Sequence, residues 1–483
     1  MMITQTFLWH DYETFGIQPR RDRPAQFAAI RTDADLNEIG EPVMLYCQPA
    51  SDFLPDPQSC LITGITPQQC LEWGVPEHQF AATIAQAFSK PGTIGVGYNT
   101  IRFDDEITRF LFWRNLIDPY AREWQNQCGR WDLLDVVRTA YALRPEGIHW
   151  PARADGRASF KLEHLCAANG LTHDAAHDAL SDVRATIALA RLLKQKNPKL
   201  FDFCFALHKK ERVADEIGLP LAPQLRQPFL HISGMFAPER GCIALVWPLA
   251  MHPNNKNEVI VWDCSFDPAE LFALDAATIR LRMFTKSDAL PEGMTRLPIK
   301  SIHINKSPMV VGNLKTLSAA RAEQWGIDLG AARKHAQAAA AGPSMSAIWA
   351  EVFRRPDAEE AVDVDEDLYG GFIGNNDRKL LEALRKQTPQ QLALATPAFD
   401  DARLAELLFR YRARNFPASL SEDEGKRWEQ TRAARLFDGA FGARTIDQLS
   451  EAIDQLSETV DERGEDILGA LYDYAESIAP KRA

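Results

Sequence analysis

The sequence predicts an α/β domain built on a mixed sheet flanked by helices, then a smaller β-rich domain, then an α-helical C-terminal domain. Three observations carry this reading. Strand-like and helix-like runs alternate through residues 1–196. Short apolar runs separated by Pro/Asn-rich turns occupy residues 198–352. Past an acidic segment the pattern is helical through residues 355–483. A chain of 483 residues has room for two to four domains at about 100–200 residues each.

In the first domain, Thr6-Phe7-Leu8-Trp9-His10 reads as a strand, as do Gln26-Phe27-Ala28-Ala29-Ile30-Arg31 and, after a turn at Gly40, Val43-Met44-Leu45-Tyr46-Cys47. Thr66-Pro67 is a helix start, a capping hydroxyl followed by proline at the first helical position. Phe80, Ile84 and Phe88 recur every four residues, the buried stripe of a helix. Thr93-Ile94-Gly95-Val96-Gly97-Tyr98 reads as a buried strand leading into a helix from Asp104 to Asn115. Helices are expected over Arg130–Tyr141, Ser159–Ala168 (stopped by Asn169-Gly170) and His177–Lys196. The β-rich domain shows strands such as Gly241–Trp247 and Glu258–Trp262, with an Ala-rich helix after Leu329. Asp357–Asp367 holds seven acidic residues in eleven and reads as a solvated linker.

Hydrophobic residues are 46% and charged residues 25%, the ordinary balance of a globular protein. The net charge of −12 argues on average against nucleic acid, although a local basic groove still tracks phosphates and acidic metal ligands lower the mean. The eight cysteines include no CxxC pair, which excludes a zinc ribbon and points to free thiols in a reducing compartment. No basic-then-apolar leader opens the chain and no stretch approaches about 18 apolar residues, so the reading is cytoplasmic with no membrane contact.

The chemistry concentrates in three places. In His10-Asp11-Tyr12-Glu13-Thr14, positions two apart on a strand share a face, so Asp11 and Glu13 present two carboxylates together. Such carboxylates repel unless protonated or bridged by a cation, and hard oxygen donors suit Mg²⁺ or Mn²⁺. Asp104-Asp105-Glu106 open a helix, where acidic residues also serve as dipole partners, leaving Asp104 open between the two roles. In His177-Asp178-Ala179-Leu180-Ser181-Asp182, a separation of five puts side chains about 140° apart on one helix. His177 and Asp182 face one site only if His177 precedes the helix, where it would serve as general base.

Taken in order, D-x-E on a first strand, Asp after a later strand and H-x₄-D at a final helix resemble the DEDD exonucleases of the histidine subclass. Longer strings are similar to bacterial exodeoxyribonuclease I: His10–Gly16, Asp22–Ala28, Gly97-Tyr98-Asn99 with Arg102–Glu106, Arg130–Val136, His303-Ile304-Asn305-Lys306 and Tyr411–Pro417. The resemblance implies an RNase H-like nuclease domain, an SH3-like β domain and a helical C-terminal domain around a channel for single-stranded DNA. It implies two divalent ions (Mg²⁺, with Mn²⁺ as substitute) and Asp11, Glu13, Asp104, His177 and Asp182 as the catalytic set. It further implies Asp11, Glu13 and Asp182 as the first metal ligands, with Asp104 supporting the second ion. Glu13 and Lys161 face the substrate, with Lys161 standing where the family carries arginine, a point donor in place of a fork.

For the DNA path the reading selects Arg109, Tyr120, Trp124, Arg138 and Arg144 near the site, and Lys256, Asn305, Lys306, Arg410, Arg412 and Arg414 beyond it. Arg410 and Arg414, four apart, are expected to share a phosphate-tracking helix face. The family implies a monomer acting in DNA repair and recombination that is recruited by single-stranded DNA-binding protein. A proofreading or exoribonuclease subunit shares the catalytic set but is usually a single domain. A catalytically dead scaffold fits poorly with five intact positions.

Overall fold

The computed structural model describes residues 3–173, 178–222, 225–354 and 362–481. The chain forms two compact units. The first comprises Met1–Gly129, His173–Arg184 and Glu360–Ala483, and the second Arg130–Thr172 and Ala185–Glu359.

The first unit holds strands β1 (Thr6–Thr14), β2 (Pro24–Thr32), β3 (Val43–Tyr46) and β4 (Thr93–Gly97), ordered β3-β2-β1-β4. β1 pairs antiparallel with β2 and parallel with β4, the mixed sheet expected from the sequence. Pro24 sits at the first residue of β2, where the missing N–H costs the ladder least. Thr66 caps helix Pro67–Trp73 in a reciprocal box with Gln69. Helix Glu77–Phe88 packs Phe80, Ile84 and Phe88 onto Leu8, Tyr12 and Phe27 of the sheet.

C-terminal helices complete the same unit. Leu449, Leu468, Leu471 and Tyr474 enter one cluster with Phe15, Ala25, Phe53, Cys60 and Cys70. Leu404, Leu407, Leu408 and Tyr411 of helix Arg403–Asn415 pack against Phe110 and Trp113 of helix Asp104–Arg114. The nuclease strands therefore share their core with residues more than 300 positions later.

β5 (Gly129–Asp132) starts at the last residue of the first unit's opening segment, and the second unit carries a five-stranded antiparallel sheet of β6 (Phe229–Ile232), β7 (Ile243–His252), β8 (Asn255–Asp263), β9 (Ile299–His303) and β10 (Met309–Val311). Its order is β10-β6-β7-β8-β9. Asp328 caps the Ala-rich helix Leu329–Ala341.

Three expectations shift. Arg130–Asp132 are extended rather than helical: Trp131 is fully buried, and Asp132 accepts from the Leu134 N–H at 2.9 Å, so helix Leu133–Leu143 starts after it. The helix expected from Ser159 begins at Leu162. The acidic segment is not solvated throughout, since Asp363 and Asp365 are 3% and 2% exposed. All eight cysteines are free and buried. Among the described residues no helix is long and apolar enough to cross a membrane.

Candidate active site

β1 sets the first two carboxylates. Asp11 stands opposite Ala28 and Glu13 opposite Gln26, side chains on one face, while the Tyr12 ring lies on the other face and hydrogen bonds to Thr108 at 3.0 Å. The Tyr12 backbone N–H, which points sideways from the strand, donates to Asp104 Oδ1 at 3.1 Å. The three acids at the start of helix Asp104–Arg114 thus divide their work. Asp104 turns to the site, Asp105 pairs with Arg122, and Glu106 pairs with Arg109 at 2.7 Å. Asp182 lies in the first turn of helix Ala179–Lys196, with Asp178 ahead of it accepting from the Ser181 N–H at 3.1 Å.

Oxygens of Asp11, Glu13 and Asp182 lie within 4.8 Å of one another. Asp104 completes the group electrostatically. Burial, then Asp104, Glu13 and Asp182, hold the Asp11 carboxyl well above the usual range. Burial, then Asp182, Asp104 and Asp178, push Glu13 up to about 8. Buried mutually repelling oxygens are what a divalent cation relieves, and the donor set fits a hard ion. The chain uses a divalent metal.

A pH dependence follows. Glu13's folded value lies above its unfolded one, so its protonated form stabilises the metal-free fold below the unfolded value, and that contribution is lost as pH rises through about 8. Cation binding has to displace this proton. Mn²⁺ affinity, read by electron paramagnetic resonance, should rise about tenfold per pH unit between roughly pH 6 and 8 and then level. The melting temperature in EDTA should fall over the same interval. A flat affinity profile would remove the protonated carboxyl from the site.

His177 lies outside the described residues. A different histidine, His173, reaches the site: its Nε2 is 2.5 Å from Asp182 Oδ1. Lys161, in the second unit, is 62% exposed at the start of helix Leu162–Ala168 and 3.2 Å from Glu163.

The candidate DNA residues separate sharply. Trp124 is 63% exposed, as a stacking platform requires. Tyr120 stands over the Arg109 guanidinium and touches Phe372, with centroids 6.1 Å apart. Arg109 itself is committed to carboxylates, forked onto Glu123 at 2.7 and 2.8 Å. Arg410 and Arg414 depart further from expectation. Arg410 binds Asp363 at 2.6 Å, and Arg414 forks onto Asp52 and also binds Asp365, with side chains 7% and 5% exposed. Arg412 likewise forks onto Glu424. Arg410 and Arg414 read as a basic face in one dimension because Asp363, Asp365 and Asp52 lie far away in sequence. In the second unit Arg138 binds Asp135 at 2.6 Å, Arg144 donates to carbonyls of Leu143 and Thr316, Lys256 and Asn305 are exposed, and Lys306 is half-buried.

Two aromatics escaped the sequence reading. Tyr369 lies under Arg20 and within 3.1 Å of Arg109, and Phe372 is 86% exposed. The signal was present as Tyr369-Gly370-Gly371-Phe372, two rings around a flexible pair just past the acidic run.

Comparison with known proteins agrees with this geometry. Residues 8–190 match the Exonuclease family, 208–355 the Exonuclease I SH3-like domain and 362–478 the Exonuclease I C-terminal domain. The chain is 44% identical over 474 residues to exodeoxyribonuclease I of Escherichia coli (strain K12), covering 98% of both. It is similar to the zinc-bound crystal structure of the E. coli exonuclease I–single-stranded DNA complex, with a TM-score of 0.91, 42% identity, and 98% of this chain and 99% of that one covered. It is also similar to exonuclease I in its complex with SSB-Ct, with a TM-score of 0.90, 42% identity, and 99% and 100% covered. A carboxylate cluster built on this strand and these helices, inside a match that runs the length of the chain, makes the protein a hydrolytic nuclease, a member of the exonuclease I family.

Proposed function

We propose that the protein degrades single-stranded DNA from the 3′ end, releasing 5′-mononucleotides, in the cytoplasm and in the service of DNA repair and recombination. The observation that carries this is the cluster of Asp11, Glu13 and Asp182 with Asp104 behind it, in a chain whose relatives are crystallised with single-stranded DNA. Two Mg²⁺ ions, replaceable by Mn²⁺, would supply charge stabilisation at the scissile phosphate and a water of lowered pKa. The chain's own work is then positional. Asp11, Glu13 and Asp182 hold the oxygens in register, Asp104 supports the second position, and Glu13 also borders the substrate. His177 takes the proton of the attacking water as the bond from phosphorus to the 3′ oxygen breaks. Lys161 donates to a substrate phosphate.

The strand's bases stack on Trp124, Tyr120 and Phe372, while Arg138, Arg144, Lys256, Asn305 and Lys306 supply backbone contacts. Domain boundaries lie near residues 197 and 353–355. The enzyme acts as a monomer and docks single-stranded DNA-binding protein, as exonuclease I does with SSB-Ct.

The test is digestion of 5′-labelled single-stranded DNA, RNA and duplex with Mg²⁺ or EDTA. The expected product is a ladder shortening from the 3′ end, on single-stranded DNA, with Mg²⁺ only. Internal cuts, or full digestion in EDTA, would overturn the reading. Phe372→Ala and Trp124→Ala should each weaken oligonucleotide binding in Ca²⁺ by roughly 5- to 150-fold, the loss of one stack of about 1–3 kcal/mol.

A further inference from the structure

We propose that His173 is a positioning residue that fixes the Asp182 carboxylate for cation binding, an inference that rests on the metal-site reading above. The three clustered carboxylates are not held alike. Asp11 and Glu13 come from one strand that pairs with β2 from Phe7 to Thr14, so alternation along β1 fixes their direction. Asp104 is fixed by the Tyr12 N–H at 3.1 Å. Asp182 comes instead from the opening turn of a helix, and its side chain is 21% exposed.

A carboxylate on a helix turn rotates about two side-chain bonds, and each rotation moves its ligand oxygen. His173 supplies a restraint on that rotation. Its side chain is 8% exposed, and its Nε2 stands 2.5 Å from Asp182 Oδ1. With the ring proton on Nε2, that N–H donates to the carboxylate oxygen. Partners behind a metal ligand orient it and raise its basicity, and their loss typically costs about 10–100-fold in affinity. The contact of His173 is with the Asp182 carboxylate, so the role assigned to it acts through Asp182.

The experiment measures Mn²⁺ binding to the full-length protein without DNA, by electron paramagnetic resonance and calorimetry, with melting temperature recorded for each variant. The variants are His173→Phe, His173→Gln and Asp182→Asn. Gln carries an amide N–H at nearly the same reach as imidazole Nε2, and Phe keeps the ring but not the donor. The inference expects His173→Phe to weaken Mn²⁺ by about 10–100-fold and His173→Gln to stay within about threefold of wild type.

If Asp182→Asn loses Mn²⁺ but His173→Phe binds as wild type does, or binds more tightly, the positioning role is overturned while the metal site stands. If both histidine variants weaken equally with unchanged melting, the donor is irrelevant and the inference falls. If His173→Phe does not fold, His173→Gln decides alone: a loss of about tenfold or more overturns the role. If wild type and Asp182→Asn bind Mn²⁺ equally, the metal-site reading itself fails.

Discussion

Asp11→Asn and Asp182→Asn proteins should lose exonuclease activity by on the order of 10⁴-fold while melting at a higher temperature than wild type in EDTA. The two effects share one cause. Without a cation, the carboxyl groups of Asp11, Glu13 and Asp182 sit together in a mostly buried site, with Asp104 adjacent. The charged forms of Asp11 and Glu13 are opposed by burial and by their neighbours, which is why Asp11 is pushed well above its usual range and Glu13 to about 8. An amide in place of one carboxylate removes repulsion, and relief of about 1–2 kcal/mol would raise melting by a few degrees. The same change removes a hard anionic ligand. Charge stabilisation by a held ion is worth several kcal/mol in the transition state, and about 5 kcal/mol corresponds to nearly four decades in rate. Single-turnover cleavage and scanning calorimetry check both halves. An inactive variant that melts lower than wild type in EDTA would mean that these side chains hold the fold together, and the site would have to be sought elsewhere.

Much of this site was legible because strand and helix periodicity are local. D-x-E on a strand fixes a common face whatever surrounds it, and β1 delivers Asp11 and Glu13 as expected. The choice among Asp104, Asp105 and Glu106 was not local. It was settled by a backbone N–H 92 positions earlier and by Arg122 and Arg109 taking the other two acids. The helix starting at Arg130 failed for a related reason. Its residues fit a helix by pattern, but Trp131 is buried in an extended segment and Asp132 serves better as a cap. His173 escaped because a histidine nine residues from an acid carries no periodic signature. The arginine string Arg410-Tyr411-Arg412-Ala413-Arg414 misled most, since every cue for a phosphate face was present except the partners.

Those partners define the last expected result. Arg414→Ala should destabilise the protein by about 3–5 kcal/mol and leave the salt dependence of DNA binding by the folded fraction unchanged. In the first unit, Arg23, Arg410, Arg414 and Arg435 interleave with Asp52, Asp363 and Asp365. Asp52 comes from the nuclease segment, Asp363 and Asp365 from the acidic run, and Arg410, Arg414 and Arg435 from the helices beyond it. Arg414 is central, with Nε 3.1 Å and Nη2 2.8 Å from Asp52 and Nη1 3.0 Å from Asp365. Beside these guanidinium groups, the Asp52 and Asp365 carboxyls lie far below their usual range even though burial opposes it. Removing one partner of such a group leaves buried charge uncompensated, which costs far more than the pair contributes over an apolar replacement.

The sign with pH is set by those depressed values. The stabilisation is present above the unfolded carboxylate range and is lost as pH falls toward the folded values, so the gap between variant and wild type should be widest near neutrality and narrow below about pH 4. A solvent-facing Arg414 predicts the opposite pair of results: little change in melting, and a salt slope reduced by about one. The same cluster governs truncation. A chain cut near residue 200 strands Asp52 without Arg414 and Arg435 and strips Leu468, Leu471 and Tyr474 from the core around Phe53. It should therefore fail to fold as an isolated nuclease, and a cooperative melt with retained cleavage of short oligonucleotides by that fragment would refute the shared core.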